Sequence, residues 1–163
     1  MRIAGDTILT ATGDNTLLVF ADDTLVINST SWPTSDSILI PNTCVLAMQS
    51  LDFVVESPEG ILASTANERV ITDATWRCVE EEEEGWTLPS FNDSHWPIAN
   101  IRGVHGDLPW GEFPGISSDA LWIWSNETSQ TAYCRKNFCD GTNCTHRIET
   151  SCTRVYMSKL LLA

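Results

Sequence analysis

Turn signals interrupt the first third of this chain about every eight to twelve residues, a punctuation that suits short strands and leaves no room for helices of ordinary length. Gly13-Asp14-Asn15 and Asp22-Asp23 are turn formers, and runs of β-branched and apolar residues lie around them at 7–11, 16–21, 24–28, 37–40 and 44–49. Leu17 and Val19 alternate with Leu18 and Phe20, so this run is apolar on both faces and belongs near the middle of packed sheets. No apolar stripe of helical period competes. An all-β sandwich or barrel is predicted.

Further along, residues 80–84 are five consecutive glutamates followed by Gly85. Like charges in a block cannot pack against one another, so the block reads as a solvated loop, with a cation cluster as the alternative. Residues 86–115 are rich in Trp, Pro and Gly with little periodicity, which predicts long ordered loops pinned by aromatic side chains. Strand character returns at 120–125 and 130–138, with Trp122 and Trp124 on one face and Leu121 and Ile123 on the other. Trp76, Trp122 and Trp124 read as core.

A length of 163 residues with 42% apolar and 19% charged residues fits one domain with a buried core. The net charge of -13 repels phosphate backbones and anionic lipid, which argues against nucleic acid and membrane partners. Apolar runs fall well short of the roughly 20 residues that span a bilayer. Met1-Arg2-Ile3 leads into Gly5-Asp6 without an apolar segment, so either a secretory leader is removed or the chain is an excised module.

Six cysteines, Cys44, Cys78, Cys134, Cys139, Cys144 and Cys152, are an even number, which fits disulfide pairing in an oxidising compartment, with buried free thiols as the alternative. Their C-terminal spacing, C-x4-C-x4-C-x7-C, lacks the C-x2-C of common zinc sites, although His146 lies among them. Sequons at Asn28, Asn92, Asn126 and Asn143 are candidate glycosylation sites and exceed the roughly two expected by chance. Cysteines and sequons together point to a secreted or cell-surface protein. Residues 1–134 carry four basic against twenty acidic residues, a net of -16, and residues 135–163 carry five against two, a net of +3. The expected division is a domain at 1–138 and, at 139–163, a Cys-rich tail or the start of a following module.

Five segments then follow in a familiar order. They are Gly13-Asp14-Asn15 with Phe20-Ala21-Asp22-Asp23 and Val26-Ile27-Asn28; Gly60-Ile61-Leu62-Ala63; Thr72-Asp73-Ala74-Thr75-Trp76-Arg77-Cys78; Gly85-Trp86 through Phe91-Asn92-Asp93-Ser94-His95-Trp96-Pro97-Ile98-Ala99; and Ala120-Leu121-Trp122-Ile123-Trp124 leading to Tyr133-Cys134-Arg135-Lys136. This order resembles the galactose-binding-domain-like jelly rolls, in particular the Trp-rich modules beside glycosidase domains and in multidomain extracellular proteins of animals. The resemblance covers about residues 3–138 and implies a jelly-roll β-sandwich, a role in carbohydrate recognition and, often in such modules, a bound calcium ion. Phe-Asn-Asp-Ser-His-Trp-Pro is its most specific piece. By its own chemistry that segment is a structural corner, since Asn92, Asp93 and Ser94 bond neighbouring backbone amides while Phe91 and Trp96 turn inward. Cys139, Cys144 and Cys152 have no counterpart in the pattern. Cys78 and Cys134, placed on antiparallel neighbours, would come within disulfide reach.

No G-x-S-x-G, H-E-x-x-H, G-x-G-x-x-G or Walker sequence is present, and His95, His105 and His146 lie in loop-like contexts without a nucleophile beside them. A non-catalytic binding role is expected. A sugar site wants an aromatic ring for stacking and polar groups for hydroxyls. The candidates are Trp32 and Trp110 in Pro-flanked segments, with Arg102, His105 and Asp107, together with Asp22 and Asp23, as polar partners. Calcium takes six to eight oxygen ligands, for which Asp14, Asp22 and Asp23 are the first candidates; the same residues serve equally as turn formers. The expected function is that of an extracellular carbohydrate-binding module, calcium-assisted, with glycans or glycoproteins as partners. The rival is a structural protein that assembles with copies of itself or with other extracellular modules in a matrix or fibre.

Overall fold

The computed structural model describes residues 6–54, 57–126 and 128–138; Cys139, Asn143, Cys144, Cys152 and the rest of the tail lie outside the described residues. The strands in chain order are β1 (Thr7–Asp14), β2 (Leu17–Ala21), β3 (Thr24–Ser29), β4 (Asp36–Ile40), β5 (Val45–Leu51), β6 (Gly60–Thr65), β7 (Arg77–Val79), β8 (Asn100–Val104), β9 (Leu121–Trp124) and β10 (Thr131–Asn137). They form two five-stranded antiparallel sheets, sheet I in the order β4-β1-β6-β9-β8 and sheet II in the order β3-β2-β5-β10-β7. β5 pairs with β10 in sheet II, while their chain neighbours β6 and β9 pair in sheet I. One antiparallel ribbon is thus wrapped across both sheets, which is the jelly-roll arrangement. The expected all-β sandwich is observed, and β2 sits between β3 and β5 as its two apolar faces require.

Alternation fills the space between the sheets. Leu9 and Ala11 of β1 and Ile61 and Ala63 of β6 meet Val19, Leu46, Met48 and Ala132 from sheet II in one buried cluster. Trp76 is wholly buried there, and its Nε1–H donates to the Ile71 carbonyl at 2.8 Å. Cys78 lies opposite Cys134 in the β7–β10 register and is bonded to it, with Cα atoms 4.1 Å apart. The link spans 56 residues, and in the chain-entropy account a closure of that length is worth about 4 kcal/mol. Cys44 is buried and its carbonyl accepts from the Phe138 amide. Trp122 and Trp124, expected on one face, have different surroundings: Trp124 joins the central core with its Nε1–H on the Ser129 carbonyl, while Trp122 faces outward beneath a loop. Trp124 ends β9, where the pleat no longer dictates direction.

Both outer faces are roofed by aromatic loops. Over sheet II, Trp86 and Trp96 from the loop after β7 cover Tyr133, with Phe20 and Phe91 half-buried beside them. This roof is fastened by a cation. The Arg135 side chain is wholly buried; its Nη1 donates to Asp93 Oδ2 at 2.5 Å and to the Phe91 carbonyl at 3.2 Å, and Nη2 donates to the Leu88 carbonyl at 3.1 Å. The guanidinium also lies 5.1 Å from the centre of the Phe91 ring. The Phe-Asn-Asp-Ser-His-Trp-Pro segment is therefore a structural corner. Most of the glutamate block is exposed, yet Glu82 accepts from Trp86 Nε1 at 3.2 Å and Glu83 accepts from Trp96 Nε1 at 2.6 Å. The hydrogen bond with His95, seconded by that from Trp96, holds the Glu83 carboxyl below its ordinary range.

Replacing Arg135 by Met removes the 2.5 Å partner of the part-exposed Asp93, which keeps Arg77 at 4.0 Å. It also removes the donor to the Phe91 carbonyl, while the Leu88 carbonyl retains the Phe91 amide. Losing the buried hydrogen bonds in this way costs about 1–3 kcal/mol. The expected outcome is a loss of that size in chemical denaturation; an unchanged midpoint would show that the roof does not depend on the guanidinium.

Candidate functional site

On the outer face of sheet I the chain departs from simple cover. Thr10, Thr12 and Asp14 point outward from β1, opposite the core-facing Leu9 and Ala11. On β6 the outward residues are Gly60, Leu62 and Ser64, with Asp14 opposite Gly60 in the register. Trp122 of β9 lies opposite Gly103 of β8. Two loops close over this face. The β3–β4 loop brings Trp32, and the β8–β9 loop brings Trp110, Phe113 and Ile116.

Trp122 is the wholly buried centre of this cluster. Trp110 stacks on it at 4.7 Å between centroids and 21° between planes, while Trp32 meets it edge-on at 6.1 Å and Phe113 at 5.6 Å. Two glycines make the room. A Cβ on Gly60 would stand 2.7 Å from Cε3 of Trp122, and one on Gly103 would stand 3.1 Å from Cζ3 of Trp110. Trp32 and Trp110 stay half-exposed. The buried Nε1–H of Trp122 finds no acceptor among the described residues.

Polar groups gather at the edge of the stack. Trp110 Nε1–H donates to Asp14 Oδ2 at 3.2 Å, and Asn15 Nδ2 donates to Asp14 Oδ1 at 2.7 Å. Asn15 Oδ1 in turn accepts from the Phe53 amide at 2.9 Å. Asp14 is buried, and desolvation, opposed by the Trp110 hydrogen bond and reinforced by the charges of Asp52 and Glu59, pushes its carboxyl up to about 6. Beside it, on β8, Arg102 Nη2 pairs with the buried Glu59 Oε1 at 3.0 Å.

Of the residues singled out from the sequence, Trp32, Trp110, Arg102 and Asp14 come together on this face. His105 and Asp107 belong to the same loop but hold it in shape. His105 Nδ1–H donates to the Ser117 carbonyl at 3.0 Å and Nε2 accepts from the Phe113 amide at 2.7 Å, so both ring nitrogens are engaged within the loop. Asp107 Oδ2 accepts from the Val104 amide at 3.1 Å and closes the turn. The expected trio Asp14, Asp22 and Asp23 does not form. Asp14 and the Asp22-Asp23 pair lie beyond opposite ends of β2, on the order of 20 Å apart along a strand of that length. Asp22 and Asp23 have φ of 46° and 70° and make the β2–β3 turn. Asp22 Oδ1 accepts from the amides of Cys44 and Val45, and Asp23 accepts from the Thr87 hydroxyl. No group of three or more His, Cys, Asp or Glu side chains among the described residues is disposed to hold a metal.

Sequence reasoning missed Glu59, Asn15 and the outward face of Trp122. Gly60 and Gly103 were the available signals, because glycine inside a strand marks a close approach.

No family model matches the chain, and no solved structure matches it. An α-L-rhamnosidase of Streptomyces avermitilis is 31% identical over 61 residues, which is 37% of this chain and 6% of that enzyme. The chain therefore spans a small fraction of that relative's length.

Two outcomes test this geometry. Gly60→Ala forces Trp122 off the sheet and is expected to cost about 1–3 kcal/mol, while Gly111→Ala, with nothing within 4 Å of its added Cβ but a φ of 75°, reports backbone strain alone for comparison. Asp14→Asn removes a carboxyl whose proton is held more tightly in the folded than in the unfolded chain. Below pH 3.8, the group's ordinary value, the carboxyl is protonated in both states and costs nothing. As pH rises to about 6 the wild type loses stability relative to the variant, and above that the difference is flat. Melting curves from pH 3.5 to about 8 read this as a variant-minus-wild-type difference that climbs and then levels; a difference independent of pH would show that Asp14 is not desolvated.

Proposed function

We propose that this domain is a non-catalytic carbohydrate-recognition module of an extracellular protein, related in kind to the galactose-binding-domain-like jelly rolls, and that sugar is bound on the outer face of sheet I. The observation that carries the reading is the convergence of Trp32, Trp110 and Asp14, distant in sequence, around the Trp122 stack, with the Arg102–Glu59 pair close to Asp14. A sugar ring offers an apolar C–H face and a rim of hydroxyls. A half-exposed indole with carboxylate, amide and guanidinium groups at its edge suits both. The partial likeness to a rhamnosidase supports a carbohydrate ligand class. The disulfide supports an oxidising compartment, and no helix among the described residues is long and apolar enough to cross a membrane.

Recognition is favoured over catalysis because the three buried carboxylates here already have occupations, Asp52 accepting from the Val54 amide and the Ser57 hydroxyl. Glu59 is paired with Arg102, and Asp14 accepts two side-chain hydrogen bonds. Calcium enters this reading as a condition to vary, with Asp14 the one aspartate of the original trio at the proposed site.

A glycan array probed with the oxidised protein in calcium and again in EDTA, with rhamnosides among the sugars, tests the reading. Binding to a narrow set of glycans is expected, and Trp110→Ala is expected to weaken it about fivefold, the loss of roughly 1 kcal/mol of stacking, with the melting temperature recorded beside it to separate site from fold. Silence of a folded sample in both buffers would overturn the proposal.

A further inference from the structure

Sheet II ends in a strand that carries neither charge nor proline. β3 pairs with β2 alone, so its far side presents unpaired amide and carbonyl groups. The other edges each carry some guard. β7 has three residues, β8 contains Arg102 and a register shift, and β4 begins at Asp36. β3 is six residues long, Thr-Leu-Val-Ile-Asn-Ser, with neither charge nor proline, and Leu25 is 48% exposed. The register shift opposite Val19 and Phe20 adds one residue, Val26, to β3 itself, a bulge like that of β8, so charge and proline are the guards that β3 lacks. An uncharged, exposed edge of this length invites pairing with a second chain.

The same strand holds a sequon, Asn28-Ser29-Thr30. Ile27 turns into the core, so Asn28 points outward, and its side chain is exposed with no hydrogen-bond partner among the described residues. The sequon at Asn126 differs. There Nδ2 donates to Glu80 Oε2 at 2.6 Å and Oδ1 accepts from the Thr128 amide at 2.9 Å, so a substituent would displace native bonds. Asn92 is exposed, but it sits in a corner loop already fixed by Arg135 and Asp93.

We propose that Asn28 is an N-glycosylation site and that its glycan guards the β3 edge. The donor is a lipid-diphosphate-linked oligosaccharide of the secretory pathway. Asn28 Nδ2 forms a bond to C1 of the reducing-end sugar, the bond from C1 to the diphosphate oxygen breaks, lipid diphosphate departs, and one amide proton passes to a base. A flexible hydrophilic branch on the terminal strand excludes a second strand by bulk, the task that a lysine or proline performs on other edges. Nothing in this assignment depends on the aromatic face of sheet I.

The test is to secrete the disulfide-bonded chain from animal cells that make high-mannose glycans, map glycopeptides by mass, and measure molar mass by light scattering over a range of concentrations. Asn28 is expected to be occupied and the protein to be one chain in size. Thr30→Ala and Asn28→Gln both abolish the sequon and are expected to shift the folded protein to concentration-dependent dimers or larger species. Where a variant is not secreted, an endoglycosidase that leaves one sugar on wild-type Asn28 gives the comparison without turning Asn into Asp. A bare Asn28 in the secreted protein overturns the site; an occupied Asn28 whose loss leaves the mass at one chain overturns the guard.

Discussion

The indole of Trp122 lies against the backbone of Gly60, and the outer face of sheet I is organised by that contact. A side chain at position 60 would lift the ring, and the ring is the surface on which Trp110, Trp32 and Phe113 pack. The stack then fixes where Asp14 and Trp110 meet, because Trp110 can reach the end of β1 only when it lies flat over Gly103. Two missing Cβ atoms on neighbouring parts of one sheet thus determine the position of a polar cluster contributed by β1, β6 and β8.

The two roofs are built from the same materials and reach different ends. Over sheet II the two Nη atoms of Arg135 are held by Asp93 and by two loop carbonyls, its buried Nε has no acceptor among the described residues, and Glu82 and Glu83 cap indole nitrogens. Over sheet I a buried indole N–H has no acceptor among the described residues, and a carboxyl is held in a setting that disfavours its charge. An unpaired buried donor costs about 1–3 kcal/mol, so each roof carries such a cost, and the carboxyl raised by desolvation is the feature particular to sheet I. Under the proposed function, a desolvated carboxyl beside half-exposed aromatic rings is the part of this face that a ligand would meet.

The strands were legible because each is bounded by residues with a mechanical reason to turn. Asp22 and Asp23 sit at positive φ between β2 and β3, and Gly13-Asp14-Asn15 closes β1. The Cys78–Cys134 link was legible for a related reason, since antiparallel neighbours leave few partners within bonding distance. What failed was proximity in sequence taken as proximity in space. Asp14 and Asp22 are separated by just one strand, and a strand is the most efficient way to carry two residues apart. Trp122 and Trp124 share a parity, yet the second sits where the strand stops. His105 and Asp107 lie near the aromatic face, but their hydrogen bonds run within their own loop. A linear sequence contains the residue types of a site and hides which of them the loop needs for itself.

The charge of the chain narrows what the sheet I face can accept. With a net charge of -13, and with the charges of Asp52 and Glu59 close enough to Asp14 to help raise its carboxyl, an anionic ligand would approach against the field of the whole domain and then lose hydration beside carboxylates. Arg102 does not offset this, because Glu59 already neutralises it at 3.0 Å. Neutral hydroxyls face no such barrier. They can donate to Asp14 once it is ionised and accept from Asn15 or from an indole N–H, whereas a carboxylated or sulfated ligand would require Glu59 to release its cation. The electrostatics and the stacking geometry therefore favour the same class, a neutral ring with one apolar face.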